Sequence, residues 1–162
     1  MSKKTRYLCE AAVIAAIYAV LTVALAPISF GMMQVRVAEA LCILPFFTPA
    51  AVPGLFVGCL ISNFAGVMMG TSLGVMDIVV GSLSTLVAAL IAYKTKQKWL
   101  VPLPAVVVNA FTVAWVLNTM LGLPYWINFA FVGLGQVIAC YGIGMPLLFL
   151  LNKYRKAVFG RV

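Results

Sequence analysis

Of 162 residues, 65% are hydrophobic and 9% are charged, where an ordinary soluble domain has roughly half and roughly a quarter. A globule of this size has too much surface for its volume to hide so much apolar side chain, which excludes a soluble fold and points to a membrane protein. The net charge of +8 does not indicate nucleic acid. The basic residues lie in three clusters, Lys3, Lys4 and Arg6, then Lys94, Lys96 and Lys98, then Lys153, Arg155, Lys156 and Arg161. Each cluster borders an apolar run, and short basic loops of that kind mark the cytoplasmic face. Only Arg36 stands outside them.

The first apolar run, Tyr7 to Ala26, is long enough to cross a bilayer, too long for a signal-peptide core, and stopped by Pro27. With the N-terminus and the Lys94–Lys98 loop both cytoplasmic, an even number of spans must separate them. Ser72 to Tyr93 is one more span, so Val37 to Gly70 is expected to cross twice, turning around Thr48 to Gly54 where Pro45, Pro49 and Pro53 remove backbone donors. Pro102 to Leu121 and Trp126 to Leu151, joined by Gly122 to Tyr125, complete the set. The expected fold is an all-α integral membrane protein. It is a compact six-transmembrane-helix bundle forming one domain over 1–162, multi-pass with both termini cytoplasmic.

Removing the clustered basic residues leaves Glu10, Arg36, Glu39 and Asp77. Glu10, near the start of the first helix, reads as an interfacial counter-ion or a partner contact. The other three fall near the outer ends of their helices, and charges at membrane depth are kept where they face a cavity or a partner. Arg36 is one helical turn from Glu39 and is spaced to pair with it, whereas Asp77 has no basic neighbour in sequence and is the strongest single candidate. Asn63, Asn118, Tyr125, Trp126 and Asn128 fall toward the same side, with Gln34 before Arg36, and Asn109 and Gln136 lie deeper. Together they outline a pocket open to the outside, although Tyr125 and Trp126 equally suit an interfacial aromatic belt.

Histidine is absent, which excludes His-based catalysis and His-ligated metal. No glycine-rich run ends in Lys-Ser or Lys-Thr, so no P-loop is present. Cys9, Cys42, Cys59 and Cys140 have no CxxC spacing and read as small apolar side chains. No metal, cofactor or enzymatic activity is expected. In the first helix Ala11, Ala15 and Ala19 recur every fourth residue, with Ala12 and Ala16 beside them. Such a small-residue stripe lets another helix approach closely in lipid, whether from a partner or from within the bundle.

The run Gln34-Val-Arg-Val-Ala-Glu-Ala-Leu41, then Leu44-Pro-Phe-Phe, then Val52-Pro-Gly-Leu-Phe-Val-Gly-Cys-Leu-Ile-Ser-Asn63, and Asp77 followed by Gly81-Ser-Leu-Ser-Thr85 resemble the queuosine-precursor transporter (QueT) family. Its members are substrate-binding S-components of energy-coupling factor (ECF) transporters. The resemblance implies a non-catalytic subunit that captures a small molecule outside and docks on a membrane T-component carrying two cytosolic ATPases, using the alanine stripe of the first helix. It implies a deazaguanine ligand, in the aminomethyl form, with the cyano form and free queuine as relatives.

A guanine-like edge offers N–H donors to a carboxylate and a carbonyl to Asn, Gln or Arg, and an ammonium arm would take a second acid. Arg36, Glu39, Asn63, Asp77, Asn109, Asn118 and Gln136 are the expected polar contacts, and Trp115, Tyr125 and Trp126 the aromatic wall. Gly135-Gln136 departs from the Gly-Glu of the family pattern and favours a neutral ligand. The alternative class is a stand-alone secondary transporter or small homo-oligomeric channel, with Asp77 or Glu39 as coupling residue. Such carriers often contain two related halves, and no internal repeat is evident. A membrane enzyme would use the acids for proton transfer, but no nucleophile accompanies them.

Overall fold

The structure, a computed structural model, describes residues 2–30, 35–72 and 74–155. Gln34, Lys156 and Arg161 lie outside the described residues. Among these residues the chain is all helical, with α1 Lys3–Ala24, α2 Val37–Phe46, α3 Ala51–Met68, α4 Asp77–Lys94, α5 Leu103–Leu121 and α6 Tyr125–Lys153.

Local chemistry places the ends. Ser2 caps α1, its hydroxyl accepting from the Thr5 amide at 3.2 Å. Pro27 cannot continue that helix, so α1 stops at Ala24 and one short turn, Ala26–Ser29, follows. Gly122 ends α5 at φ 65°, a left-handed conformation that favours glycine. Pro146 has no N–H to give the preceding turn, and α6 widens into a π turn over Ile138–Ile143 just before it.

Among the described residues five helices, all but α2, are long and apolar enough to cross a membrane. Val37 to Gly70 does double back as expected, α2 returning the chain to Thr48 beside Glu10 near the start of α1, but its first half is short for a full span. Two helices are present there, but α2 has ten residues wound as a 3-10 helix, about 20 Å long at about 2 Å per residue. That is short of a hydrocarbon core of about 30 Å. The turn between them is also shorter than expected. Pro53 and Gly54 lie inside the first turn of α3, where the missing proline N–H has no helical partner to lose.

The helices pack in the order α1, α3, α4, α5, α6, and this row curls around α2, which touches α1, α3, α4 and α6. Every residue of α2 from Ala38 to Pro45 is buried. The main apolar core gathers on it, with Leu41, Ile43 and Leu44 meeting Ile14, Leu55 and Leu148. Trp99 stacks edge-on against Phe149 at 5.6 Å, and Glu10 of α1 bonds Thr48 at the foot of α2. The start of α1, the 98–100 turn and the end of α6 thus share one end of the bundle, and the described basic clusters with them.

α1 lies closest to α3. A Cβ added to Gly58 would meet the Ala15 carbonyl oxygen at 2.9 Å and Tyr18 Cβ at 2.8 Å, and one added to Gly54 would meet the Ala11 carbonyl oxygen at 2.9 Å. The alanine stripe of α1 is therefore divided. Ala15 is buried and Ala11 half-buried against α3, Ala19 is half-buried, and Ala12 and Ala16 are exposed. Gly58→Ala is expected to force the two helices apart and to lower stability by about 1–3 kcal/mol, the usual cost of overpacking. Thermal unfolding in detergent checks this against Gly133→Ala, whose new methyl would meet only an ordinary contact at 3.6 Å and should leave the midpoint unchanged or slightly higher.

Candidate functional site

The spacing of Ile14, Ala15, Tyr18 and Thr22 puts one stripe of α1 into the bundle. Its polar tip is Tyr18, which is fully buried. The Tyr18 hydroxyl donates to Glu39 Oε1 at 2.5 Å, and Glu39, third residue of α2, is 3% exposed. Asn109 of α5 lies beside the same carboxylate. Its amide donates to Gln136 Oε1 at 3.4 Å, which also faces the Cys140 thiol at 3.5 Å. The π turn of α6 carries Cys140, and its thiol also reaches the Glu39 backbone oxygen at 3.5 Å.

A second group forms around Arg36, which is 4% exposed. Its Nη2 meets Asp77 Oδ2 at 3.5 Å, its Nε donates to the Ser29 backbone oxygen at 3.4 Å, and its guanidinium lies 5.0 Å over the Phe30 ring. Asp77 opens α4 in a π turn, Asp77–Gly81, and takes a second donor from Ser72 Oγ at 2.6 Å. Asn63 of α3 donates to the Asp77 backbone oxygen at 2.9 Å. Gly81 keeps this approach open, since a Cβ there would meet Asn63 Nδ2 at 2.9 Å and Asp77 Oδ1 at 3.3 Å. Cys59, one turn before Asn63, lies beneath both groups, with Arg36 Nη1 at 3.9 Å and the Thr85 hydroxyl at 3.3 Å.

Of the ten side chains expected at a site, Arg36, Glu39, Asn63, Asp77, Asn109 and Gln136 are all buried and joined in these two groups. The Arg36–Glu39 pair that the spacing allows does not form, and Arg36 pairs with Asp77. Arg36 is the N-cap of α2, its backbone extended and its carbonyl accepting the Glu39 amide at 2.9 Å, while its side chain turns toward α4. Asp77, without a basic neighbour in sequence, has one in space. The other four lie apart. Trp115 is 46% and Trp126 72% exposed, Tyr125 reaches the Phe111 backbone oxygen, and Asn118 bonds the Leu123 backbone oxygen in the α5–α6 turn. Tyr125, Trp126 and Phe129 make a ring cluster on the outer face of α5 and α6, so the aromatic groups at the polar cluster are Phe30 and Tyr18.

Sequence reasoning missed Tyr18, Ser72 and Thr85. Tyr18 alone carried a usable signal, as the one aromatic hydroxyl in the buried stripe Ile14, Ala15, Tyr18 and Thr22. Glu10, expected in the first turn, lies deeper in α1 and accepts from Arg6 at 2.8 Å and Thr48 at 2.9 Å, which makes it a counter-ion. All four cysteines are free.

Among the described residues four buried polar atoms have no partner: Ser29 Oγ, Asn63 Oδ1, Ser82 Oγ and Asn128 Nδ2. Such atoms are rare in folded proteins because each forfeits its hydration without return. Ser29 and Asn63 are bonded into the Arg36–Asp77 group through other atoms, so two of the four sit at the cluster. An apolar groove of about 450 Å³ lies elsewhere, at the basic end between α1 and the end of α6, lined by Val13, Ile14, Leu44 and Leu147 among others, with Glu10 and Thr48 at its polar side.

No solved structure matches the chain. A curated relative, the queuosine precursor transporter QueT of Lactococcus lactis subsp. cremoris (strain MG1363), is 40% identical over 86 residues, 52% of this chain and 47% of the relative. The aligned part of the chain thus spans about half the relative's length. The QueT transporter family matches over residues 8–153, from the second turn of α1 to the end of α6, and so takes in both polar groups. A match of that extent makes the chain a member of the QueT transporter family.

Proposed function

We propose that the chain is the substrate-binding S-component of an ECF transporter, a non-enzymatic subunit that takes up a queuosine precursor of the deazaguanine class, in its aminomethyl form. The observation that carries this reading is the buried polar cluster, which sits toward the bundle end opposite the basic clusters and keeps unpartnered hydrogen-bonding atoms among charged ones. With the basic end cytoplasmic, both termini are cytoplasmic and the cluster faces the outer side of a bacterial plasma membrane, where a nutrient arrives. The relative's name supports the substrate class, and a guanine-like ring has the donors and acceptors that Asn63, Asn109 and Gln136 can meet.

A subunit without a P-loop must draw on another chain for ATP-driven work, which the T-component and its two ATPases would supply. The exposed alanines of α1, Ala12 and Ala16, offer the smooth face for that docking, because small side chains let a second helix approach closely in lipid. Ala15 is already used inside the bundle.

The purified protein is expected to bind a deazaguanine with submicromolar affinity by calorimetry. Absence of heat with every queuosine precursor would remove the substrate assignment. Uptake into liposomes driven by an ion gradient, without partner subunits or ATP, would replace the S-component role with a secondary transporter. Ala16→Trp is expected to leave binding within about twofold, since the site lies on the other side of α1, and to abolish uptake by cells that express the complete transporter. Equal loss of binding and uptake would show that Ala16 supports the fold instead.

A further inference from the structure

The polar cluster holds three formal charges, and they do not balance. Arg36, Glu39 and Asp77 are all at least 96% buried, and among the described residues no other Lys, Arg, Asp or Glu is buried. Arg36 is committed to Asp77 by the ion pair, and Asp77 is further held by Ser72 and, through its backbone, by Asn63. Glu39 has no cation within ion-pair distance among the described residues. Its direct contacts are a neutral phenol and a neutral amide, and Arg36, paired with Asp77, acts on it only from beyond ion-pair distance. A carboxylate far from water with only neutral donors is costly unless something brings a positive charge to it.

A second observation points to a ligand at the same place. Asn63 Oδ1 and Ser29 Oγ are buried, unpartnered and attached to the group that neighbours Glu39, so the cluster lacks a donor as well as a charge. One molecule that carries both an ammonium and ring N–H groups would supply the two together.

Resting on the reading above, we infer that Glu39 is the counter-charge for the ligand's ammonium group, while Asp77 stays paired with Arg36 and shapes the site around the ring. The site is thereby selective for a singly positive ligand over a neutral one of the same shape. Gln136 does not oppose this preference. Its side-chain oxygen is turned to Asn109 and Cys140, and the charge that recognises the cation resides on α2. Tyr18 holds the free Glu39 in place until the ammonium arrives.

Calorimetry on the full chain in detergent, with 7-aminomethyl-7-deazaguanine and 7-cyano-7-deazaguanine as probes, separates the possibilities. The wild type is expected to bind the cationic probe at least about tenfold more tightly than the neutral one. Glu39→Gln, which keeps an oxygen for the Tyr18 hydroxyl, is expected to remove that preference by weakening the cationic probe about tenfold or more while leaving the neutral one within about threefold. Asp77→Asn, which strands Arg36, is expected to weaken both probes by a similar factor and so to keep the preference. Equal or tighter binding of the neutral probe to the wild type, an equal effect of Glu39→Gln on both, or no effect on either would overturn the assignment of Glu39. Binding of neither probe to a folded wild type would overturn the substrate reading itself. Should Glu39→Gln not fold, the wild-type ratio and its persistence in Asp77→Asn decide the question.

Discussion

Arg36 has to find its counter-charge inside the bundle, and much of the surrounding architecture follows from that requirement. A guanidinium that is 4% exposed in an apolar protein is tolerable only when paired and hydrogen-bonded. The partner comes from α4, forty-one residues along the chain. To meet it, Arg36 takes an extended backbone conformation at the start of α2, α4 begins with a π turn at Asp77, Gly81 omits a side chain, and Phe30 spreads its ring under the charge. Breaking such a pair leaves one charge stranded at a typical cost of about 3–5 kcal/mol, so the two elements that bear it are held in register.

α2 is the other half of the arrangement. Wound as a 3-10 helix and enclosed by its neighbours, it returns the chain toward the basic end in only ten residues and is too buried to serve as a surface. What it does is carry Glu39 at its upper turn and a column of apolar side chains below. The five longer helices supply the wall and α2 supplies the floor, so the acid is presented at depth without an open channel through the apolar core. Both π turns, in α4 and in α6, lie at this level, where widened turns re-aim Asp77 and Cys140 toward the cluster.

α1 joins the two ends of the proposed activity. One face rests on the glycines of α3 and sends Tyr18 to Glu39, while another exposes Ala12 and Ala16 to lipid or to a partner helix. A change in how α1 is seated would therefore be felt at Glu39 through a single hydrogen bond. Glu10, by contrast, is tied to Arg6 and Thr48 at the basic end and serves to fasten α1 to the foot of α2.

Composition and the placing of charges made the membrane class, the helical content, the positions of α1, α3, α4, α5 and α6 within a few residues, and the separation of Arg36, Glu39 and Asp77 from the basic clusters legible from sequence. These properties follow from local apolar length and from the high cost of charge in lipid, both of which are written residue by residue. Pairing was not legible in the same way. That Arg36 would choose Asp77 over Glu39, that Ala15 would face Gly58 while Ala16 faced outward, that Tyr18 would cap Glu39, and that Trp115, Asn118, Tyr125 and Trp126 would stand apart from the cluster were decided by how the helices rotate and pack against one another. The same holds for α2. Its apolar sequence called for a span, but four neighbours closing over ten residues made it an enclosed floor, because burial inside a bundle satisfies apolar side chains as well as lipid does.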